Sequence, residues 1–438
     1  MGKDTWGVMQ DLFKQLFHSI DYCLLHNWED ISEKVSGDLD IVVHPRDLDT
    51  LKKKILVIPN AKLVNFILYE SNCYYIALAV RNGDSIHFLI IDVATDYRWD
   101  GRVWFKAEEL LLGRRNWKGF WVAAPEVEFK YLLTKKILKG DFPQRAAKRL
   151  QRLAKNLNKK ADLLVEDLLG GHWAKQVIDL IRGGKWKVLE ANLSKLKKVL
   201  KRRKLLRDPL DFLSYWFSEL KRIYFRLRYP TGLWIAVLGP DGAGKSTLIE
   251  QLKDGLERPF RRTAVYHFSP GLFRRIHWRA PTSDPHSKPP YSVLVSLLKL
   301  VYYWLEFTLG YWLKIRIDLI RSTIVFFDRY YEDLLIDPKR YRYGGPFWWA
   351  KWLNHIIPAP DLWLVVDVPE KELMSRKREL SEEEAQRQRK EYKSFALRFS
   401  NAFLLNGKCQ AVEVARQAQE VILNYLHERC LKRIGLTP

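Results

Sequence analysis

One stretch constrains this chain more than any other: Gly239-Pro240-Asp241-Gly242-Ala243-Gly244-Lys245-Ser246-Thr247. It fits G-x-x-x-x-G-K-[ST], a loop that wraps phosphates when a strand precedes it and a helix follows. Both flanks have the required character. Leu233 to Leu238 reads as a buried strand, and Thr247 to Leu256 as the start of a helix. The glycines let backbone N–H groups converge on phosphate oxygens. Lys245 is placed to reach the β- and γ-phosphates, and the Ser246 hydroxyl to bind Mg²⁺. The expected nucleotide-binding set is therefore Gly239, Gly242, Ala243, Gly244, Lys245, Ser246 and Thr247, with ATP and Mg²⁺ as cofactors.

A chain of 438 residues has room for two or three domains. Cys23, Cys73, Cys409 and Cys430 are scattered with no C-x-x-C spacing, which fits a reducing cytoplasm better than a disulfide or metal framework. The start, Met-Gly-Lys-Asp-Thr-Trp, shows no apolar core of a secretory signal. The most apolar region, Tyr291 to Ile317, is interrupted by Lys299, Glu306, Lys314 and Arg316. It reads as a long helix with a wide apolar face rather than a membrane span. The formal charge of +23 is concentrated: Phe129 to Arg228 holds 27 Lys and Arg against 9 Asp and Glu.

Three regions follow from these patterns. Residues 1–128 mix strand and helix signals, with strands at Leu39–Val43, Ala61–Tyr69, Tyr74–Val80 and Ser85–Val93 and a helix over Arg46–Ile55. Residues 129–229 read as helices throughout, forming a basic connecting region that ends at Arg228-Tyr229-Pro230-Thr231-Gly232. Residues 230–438 alternate strands and helices, with short apolar runs at Thr323–Phe327 and Leu362–Val368. That alternation predicts an α/β, doubly wound parallel sheet for the third region and an α+β fold for the first.

Two features of the third region narrow the chemistry. Phe326-Phe327-Asp328-Arg329-Tyr330-Tyr331 delivers Asp328 and Arg329 at a strand's C-terminal end, where open α/β sheets bind ligands. Asp328 is a candidate for holding Mg²⁺ or orienting an acceptor hydroxyl, and Arg329 for clamping an anion. The plainer alternative is a turn cap and a local ion pair. Arg376-Lys377-Arg378, then Ser381 to Glu384 and Arg387, Arg389 and Lys390, suits a lid that brings Arg376 and Arg378 onto a transferring phosphoryl group. The alternative is a solvated, salt-bridged helix, since Ser381 with Glu384 also spells a capping box.

Asp241 inside the loop, Asp328-Arg329-Tyr330 and the Arg376–Arg378 charge cluster resemble the thymidylate kinase superfamily over most of Leu233 to about His427. The resemblance implies that Asp241 contacts an acceptor hydroxyl. It also implies that Asp328 and Arg329 serve Mg²⁺ and the acceptor phosphate, and that the lid arginines assist transfer. Asp328 through Pro338, Arg340-Tyr341-Arg342-Tyr343-Gly344-Gly345-Pro346 and Pro360-Asp361-Leu362 are similar to thymidylate kinase-like proteins of exopolysaccharide and surface-glycan clusters. True thymidylate kinases carry Arg-Glu-Pro-Gly after the second strand. Here that place holds His267-Phe268-Ser269-Pro270-Gly271, which argues against dTMP as acceptor and leaves Arg340, Arg342, Arg274 or Arg279 to bind another anion.

In the first region, Ser36-Gly37-Asp38-Leu39-Asp40 places Asp38 and Asp40 on one side of a strand, and Asp92 ends a later strand. The pattern resembles the polymerase β-type nucleotidyltransferase fold, which implies that Asp38, Asp40 and Asp92 bind Mg²⁺. The Gly-Ser pair that grips the triphosphate in that family is replaced by Leu24-Leu25-His26-Asn27-Trp28-Glu29, so the fold is expected with altered or lost transferase activity.

The basic cluster Lys195 to Arg207, followed by Trp216, Phe217, Tyr224 and Phe225, attracts polyanions and suits an anionic membrane surface, with nucleic acid as an alternative and a plain helical linker as the bland reading. Three function classes stay open at this stage. The first is a cytoplasmic kinase, peripheral at the inner membrane face, acting on a sugar, sugar phosphate or lipid-linked glycan. The others are a nucleoside monophosphate kinase and a nucleotide-regulated scaffold with degenerate catalysis.

Overall fold

β-branched and aromatic runs in the first 224 residues build a mixed seven-stranded sheet. The computed structural model describes residues 3–29, 31, 39–83, 85–260, 262–273, 288–376 and 381–435, without the side chains of 3–5 and 376. The chain divides into two units, Met1–Tyr224 with Cys430–Pro438, and Phe225–Arg429. The strands of the first sheet are β1 (Tyr22–Leu24), β2 (Leu39–Val43), β3 (Ala61–Glu70), β4 (Cys73–Asn82) and β5 (Ser85–Ala94). The small strands β6 (Asp96–Trp99) and β7 (Arg102–Lys106) pair apart as a ribbon, and β8 (Arg115–Trp117) and β9 (Phe120–Val122) complete the main sheet. Its order is β3-β4-β5-β2-β1-β9-β8. Only β2 with β5 and β1 with β9 run parallel.

The expected basic connecting region does not stand apart. Helices Pro125–Lys139, Gln144–Leu157, Lys159–Leu169, Gly171–Arg182, Trp186–Ala191 and Leu193–Arg207 bury Phe129, Leu133, Ile137, Leu150, Val165, Ile181 and Leu196 in one core with Val42, Phe105 and Leu110. The physical reason is their amphipathicity: each carries an apolar stripe that must be covered. The sequence places boundaries after 128 and after 229, and the structure divides the chain near the second of them, after Tyr224, inside the helix Asp211–Arg228. Part of the positive charge is internally neutralised. Arg149 pairs with Glu128 at 2.6 Å, Arg182 with Asp162 at 2.9 Å, and Lys197 and Lys201 with Asp100.

The second unit carries β10 (Leu233–Leu238), β11 (Arg262–His267), β12 (Thr323–Asp328), β13 (Leu362–Asp367) and β14 (Ala402–Asn406). They form a wholly parallel sheet in the order β11-β12-β10-β13-β14. This is the open α/β sheet that the sequence implies. Every side chain of β10 is buried, as are the first five of β12 and of β13, which is why these strands read as continuous apolar runs. The register aligns Val237 with Asp328, so β12 delivers Asp328 beside the P-loop that leaves β10.

Helix Val293–Gly310 continues through a π turn, Tyr311–Ile315, into Arg316–Ile320. By length and composition Val293–Ile320 is able to cross a membrane, the one such helix among the described residues. Two of its charges are held within the unit. Lys299 is buried and donates to Tyr341 O at 2.8 Å, and the fully buried Glu306 accepts the Leu272 and Phe273 N–H groups at 2.7 and 3.0 Å. Such pairing fits a helix packed on its own sheet through Leu300, Tyr303 and Phe307. At Gly310 the helix touches Pro270 so closely that an added Cβ would lie 2.6 Å from the proline Cβ. Gly310→Leu is therefore expected to lower stability by roughly 1–3 kcal/mol through overpacking, read as a lower urea midpoint at unchanged slope.

Candidate functional site

The P-loop is shaped by three glycines at positive φ: Gly239 at 146°, Gly242 at 82° and Gly244 at 88°. A Cβ at Gly239 would lie 2.9 Å from Val366 O, so this position also needs glycine for space. Helix Lys245–Leu256 starts directly after Gly244. The buried Lys245 ammonium donates to Gly239 O at 2.8 Å and Pro240 O at 2.9 Å, which folds it back over its own loop. Ala243 is buried and Thr247 exposed at the first turn of that helix.

Ser246 and Asp328 meet as the sequence implies. The Ser246 hydroxyl donates to Asp328 Oδ2 at 2.8 Å. Asp328 Oδ1 is buried with no hydrogen-bond partner. An orphaned carboxylate oxygen beside a serine hydroxyl at the P-loop fits a divalent cation or its water shell. Ser246 and Asp328 are thus the residues that would hold Mg²⁺. His267, at the end of β11, lies with Nδ1 3.7 Å from the same Oδ2. Burial alone would push the Asp328 carboxyl up. The nearby His267 imidazole, the Lys245 charge and the Ser246 hydroxyl outweigh it and hold the group below its ordinary range. The Asp328 carboxylate in turn raises His267 above its usual 6.5, against the pull of desolvation.

A second cluster faces Asp241. Arg329 and Arg340 both donate to its carboxylate, one to each oxygen. Arg329 is buried and also donates to Asp333 Oδ2 at 2.9 Å, and Tyr392 hydroxyl donates to Asp333 Oδ1 at 2.8 Å. Burial pushes the Asp333 carboxyl up, and Arg329 opposes that. Arg329 itself sits in the left-handed region at φ 78°, its N–H held by Val237 O at 3.1 Å. A non-glycine residue in that conformation stores strain that the surrounding bonds must hold. The Asp241–Arg340 contact is the residue pair that sequence reasoning missed; the two lie 99 positions apart and no local spacing signals them.

The expected lid is only partly in view. Arg378 and the Arg376 side chain lie outside the described residues. Helix Glu382–Arg398 begins with the Ser381 cap, which accepts Glu384 N–H at 3.3 Å. Arg389 is pinned by Asp367 at 2.5 Å and Glu370 at 2.9 Å, Lys393 by Asp367 at 3.0 Å, and Arg387 by Glu384 at 2.6 Å. The salt-bridged alternative describes Arg387 and Arg389.

Of the first region's carboxylates, Asp38 lies outside the described residues, as do Arg274 and Arg279 of the anion candidates. Asp40 and Asp92 are register partners on β2 and β5. No group of three His, Cys, Asp or Glu side chains suited to a metal occurs among the described residues. Asp40 instead borders a cavity of about 320 Å³ with His26, Glu29, Lys135, Lys136 and Lys139. Lys135 Nζ lies 2.8 Å from His26 Nε2 and 3.0 Å from the Tyr131 hydroxyl, and Asp40 Oδ2 3.3 Å from His26 Nε2. Burial and the Lys135 charge outweigh Asp40 and bring His26 down to about 4, so its imidazole is neutral at physiological pH.

A parallel sheet with a P-loop on its central strand, a serine and an aspartate at the cation position and two arginines on the loop's carboxylate define a P-loop phosphotransferase fold. Residues 237–423 match the thymidylate kinase family model, so the second unit carries a thymidylate kinase-like domain. Among solved structures, a crystal structure of thymidylate kinase from Ehrlichia chaffeensis is similar at 18% identity, over 44% of this chain and 99% of that one, with a TM-score of 0.32. No curated protein matches the sequence.

The His267–Asp328 pair has a pH signature. A histidine raised by its partner stabilises the fold fully below its unfolded value, and that contribution fades as pH climbs through the folded value. Wild type is therefore expected to lose stability relative to His267→Gln as pH rises above the ordinary histidine value of about 6.5, measured as urea midpoints of the two proteins on either side of it.

Proposed function

We propose that the second unit transfers the γ-phosphoryl group of ATP to a hydroxyl of an anionic small molecule: a sugar phosphate or a lipid-linked glycan intermediate of surface-polysaccharide synthesis, at the cytoplasmic face of a membrane. The observation that carries this reading is the Asp241 carboxylate held between Arg329 and Arg340. Two guanidinium groups converge where the P-loop faces its acceptor. An anionic acceptor able to take over those hydrogen bonds would free Asp241 to orient the acceptor hydroxyl. The segment His267–Gly271 stands where thymidylate kinases have Arg-Glu-Pro-Gly, so Arg340 is assigned the anion grip that segment lacks.

The chain's own groups divide the work. The P-loop N–H groups and Lys245 bind the β- and γ-phosphates once Lys245 leaves the Gly239 and Pro240 carbonyls. Arg329 holds the acceptor anion from the sheet side, and Arg376 and Arg378 are proposed to neutralise charge on the transferring group from the lid. Ser246 and Asp328 would hold Mg²⁺, which would supply neutralisation of the phosphate charge. The first unit is proposed to serve the same pathway as a nucleotidyltransferase-like module, with Asp38, Asp40 and Asp92 as its metal carboxylates and Lys135 facing the phosphates.

The test is transfer from γ-labelled ATP to a panel of nucleoside monophosphates, sugars, sugar phosphates and extracted glycan lipids. Lys245→Ala is expected to abolish all transfer. Arg340→Ala is expected to raise the acceptor KM roughly tenfold or more while leaving that for ATP unchanged, as loss of a charge-assisted bond implies. Labelling confined to a nucleoside monophosphate would select the nucleotide kinase instead. ATP bound but passed to no acceptor would select the regulated scaffold.

A further inference from the structure

The helix Asp211–Arg228 has its polarity reversed. Asp211, Glu219 and Arg222 face the protein. Glu219 is buried and accepts Ser71 N–H at 2.9 Å. Arg222 donates to Tyr69 O at 3.0 Å and to Glu219 at 2.6 Å. Asp211 takes the Arg102 guanidinium at 2.5 Å. These contacts fix which side of the helix lies against the β3–β4 turn and the β6–β7 ribbon.

The opposite side is apolar and exposed. Leu213 is 54% exposed, Trp216 56%, Phe217 72% and Leu220 64%. At 100° per residue these four fall within an arc of about 100°, the width that a globular helix normally buries. Leu206 and Leu210, both more than half exposed, lead into the same helix. A continuous stripe of this kind in water is costly and marks an interaction surface.

Charge decides the partner. Asp211 and Glu219 are the only acids of the helix, and both are committed inward. Lys221 and Arg228 are exposed beside the stripe, and the preceding helix adds exposed Lys195, Lys198 and Arg202. Two copies meeting on this face would bring Lys221 and Arg228 together with no acid there to pair them. An apolar stripe with an indole, rimmed by cations and with the exposed Asp208 of its lead-in paired to Lys204, matches the headgroup region of an anionic bilayer.

We propose that the outward face of Asp211–Arg228 is a membrane-docking surface that seats Leu213, Trp216, Phe217 and Leu220 in the interfacial layer of an anionic phospholipid bilayer. The helix lies in the surface plane and does not span. This inference is independent of the phosphotransfer reading and stands on the orientation of one helix.

The test is sedimentation of the full-length protein with vesicles of phosphatidylcholine alone and of phosphatidylcholine with one quarter phosphatidylglycerol. Wild type is expected to pellet with the anionic vesicles. Trp216→Ser with Phe217→Ser is expected to weaken partitioning at least about tenfold, with ATP binding and circular dichroism unchanged. If that double variant fails to fold, Lys221→Glu with Arg228→Glu carries the test, with a loss confined to the anionic vesicles. Wild type remaining in the supernatant with both vesicles overturns the proposal. So does light scattering that shows a wild-type dimer made monomeric by the Trp216 and Phe217 changes while vesicle binding persists, because the face would then belong to a second copy.

Discussion

The buried guanidinium of Arg329 is the interaction on which the kinase-like unit is organised. A charge in that position is tolerated only if it is paired and hydrogen-bonded. Its partners come from two parts of the chain, Asp241 from the P-loop and Asp333 from the helix after β12, while the backbone N–H of the same residue donates to the Val237 carbonyl of β10. Tyr392 extends the network to the helix Glu382–Arg398. The same pairing that makes Arg329 tolerable therefore ties together the P-loop, the end of the strand that delivers Asp328, and the helix Glu382–Arg398.

Around that centre the electrostatics separate into two halves. On one side Asp328, lowered by His267, Lys245 and Ser246, keeps an ionised carboxylate with one oxygen unclaimed. On the other, Asp241 has both oxygens claimed by arginines. The two carboxylates are close in the fold and opposite in circumstance. One is ready for a cation, and the other is covered until something else occupies the arginines. That asymmetry places two carboxylates of opposite availability within one unit.

The sheet of this unit was legible because its central strands are buried on both faces. Leu233–Leu238, Thr323–Phe327 and Leu362–Val368 show uninterrupted apolar runs, and the observed strands match them to within a residue. The edge strand β14, Ala402–Asn406, passed unnoticed because one face is open and its pattern is short and mixed. In the first region the long strands β2 to β5 were equally clear, while β1 and β6 to β9, of three to five residues each, passed unread. The role of residues 129–207 was not clear, because amphipathic helices announce that they need a cover and not which surface provides it. Arg387 and Arg389 illustrate the same limit. Their density on a helix reads equally as a lid or as a salt-bridged face, and Glu384, Asp367 and Glu370 decide between them. Asp241 with Arg340 was illegible for another reason: nothing local links a loop residue to a partner a quarter of the chain away.

The segment His267–Phe273 is fastened to the helix beneath it at three points. Glu306 caps the Leu272 and Phe273 N–H groups, Lys314 donates to the Pro270 carbonyl at 2.7 Å, and Gly310 gives Pro270 room to sit against the helix. The stretch beside Asp328 is therefore less a loop than an extension of helix Val293–Gly310. A backbone fastened in that way takes its shape from the helix below it, so substitutions that redirect the stretch beside Asp328 would have to arise on that helix, away from the stretch itself.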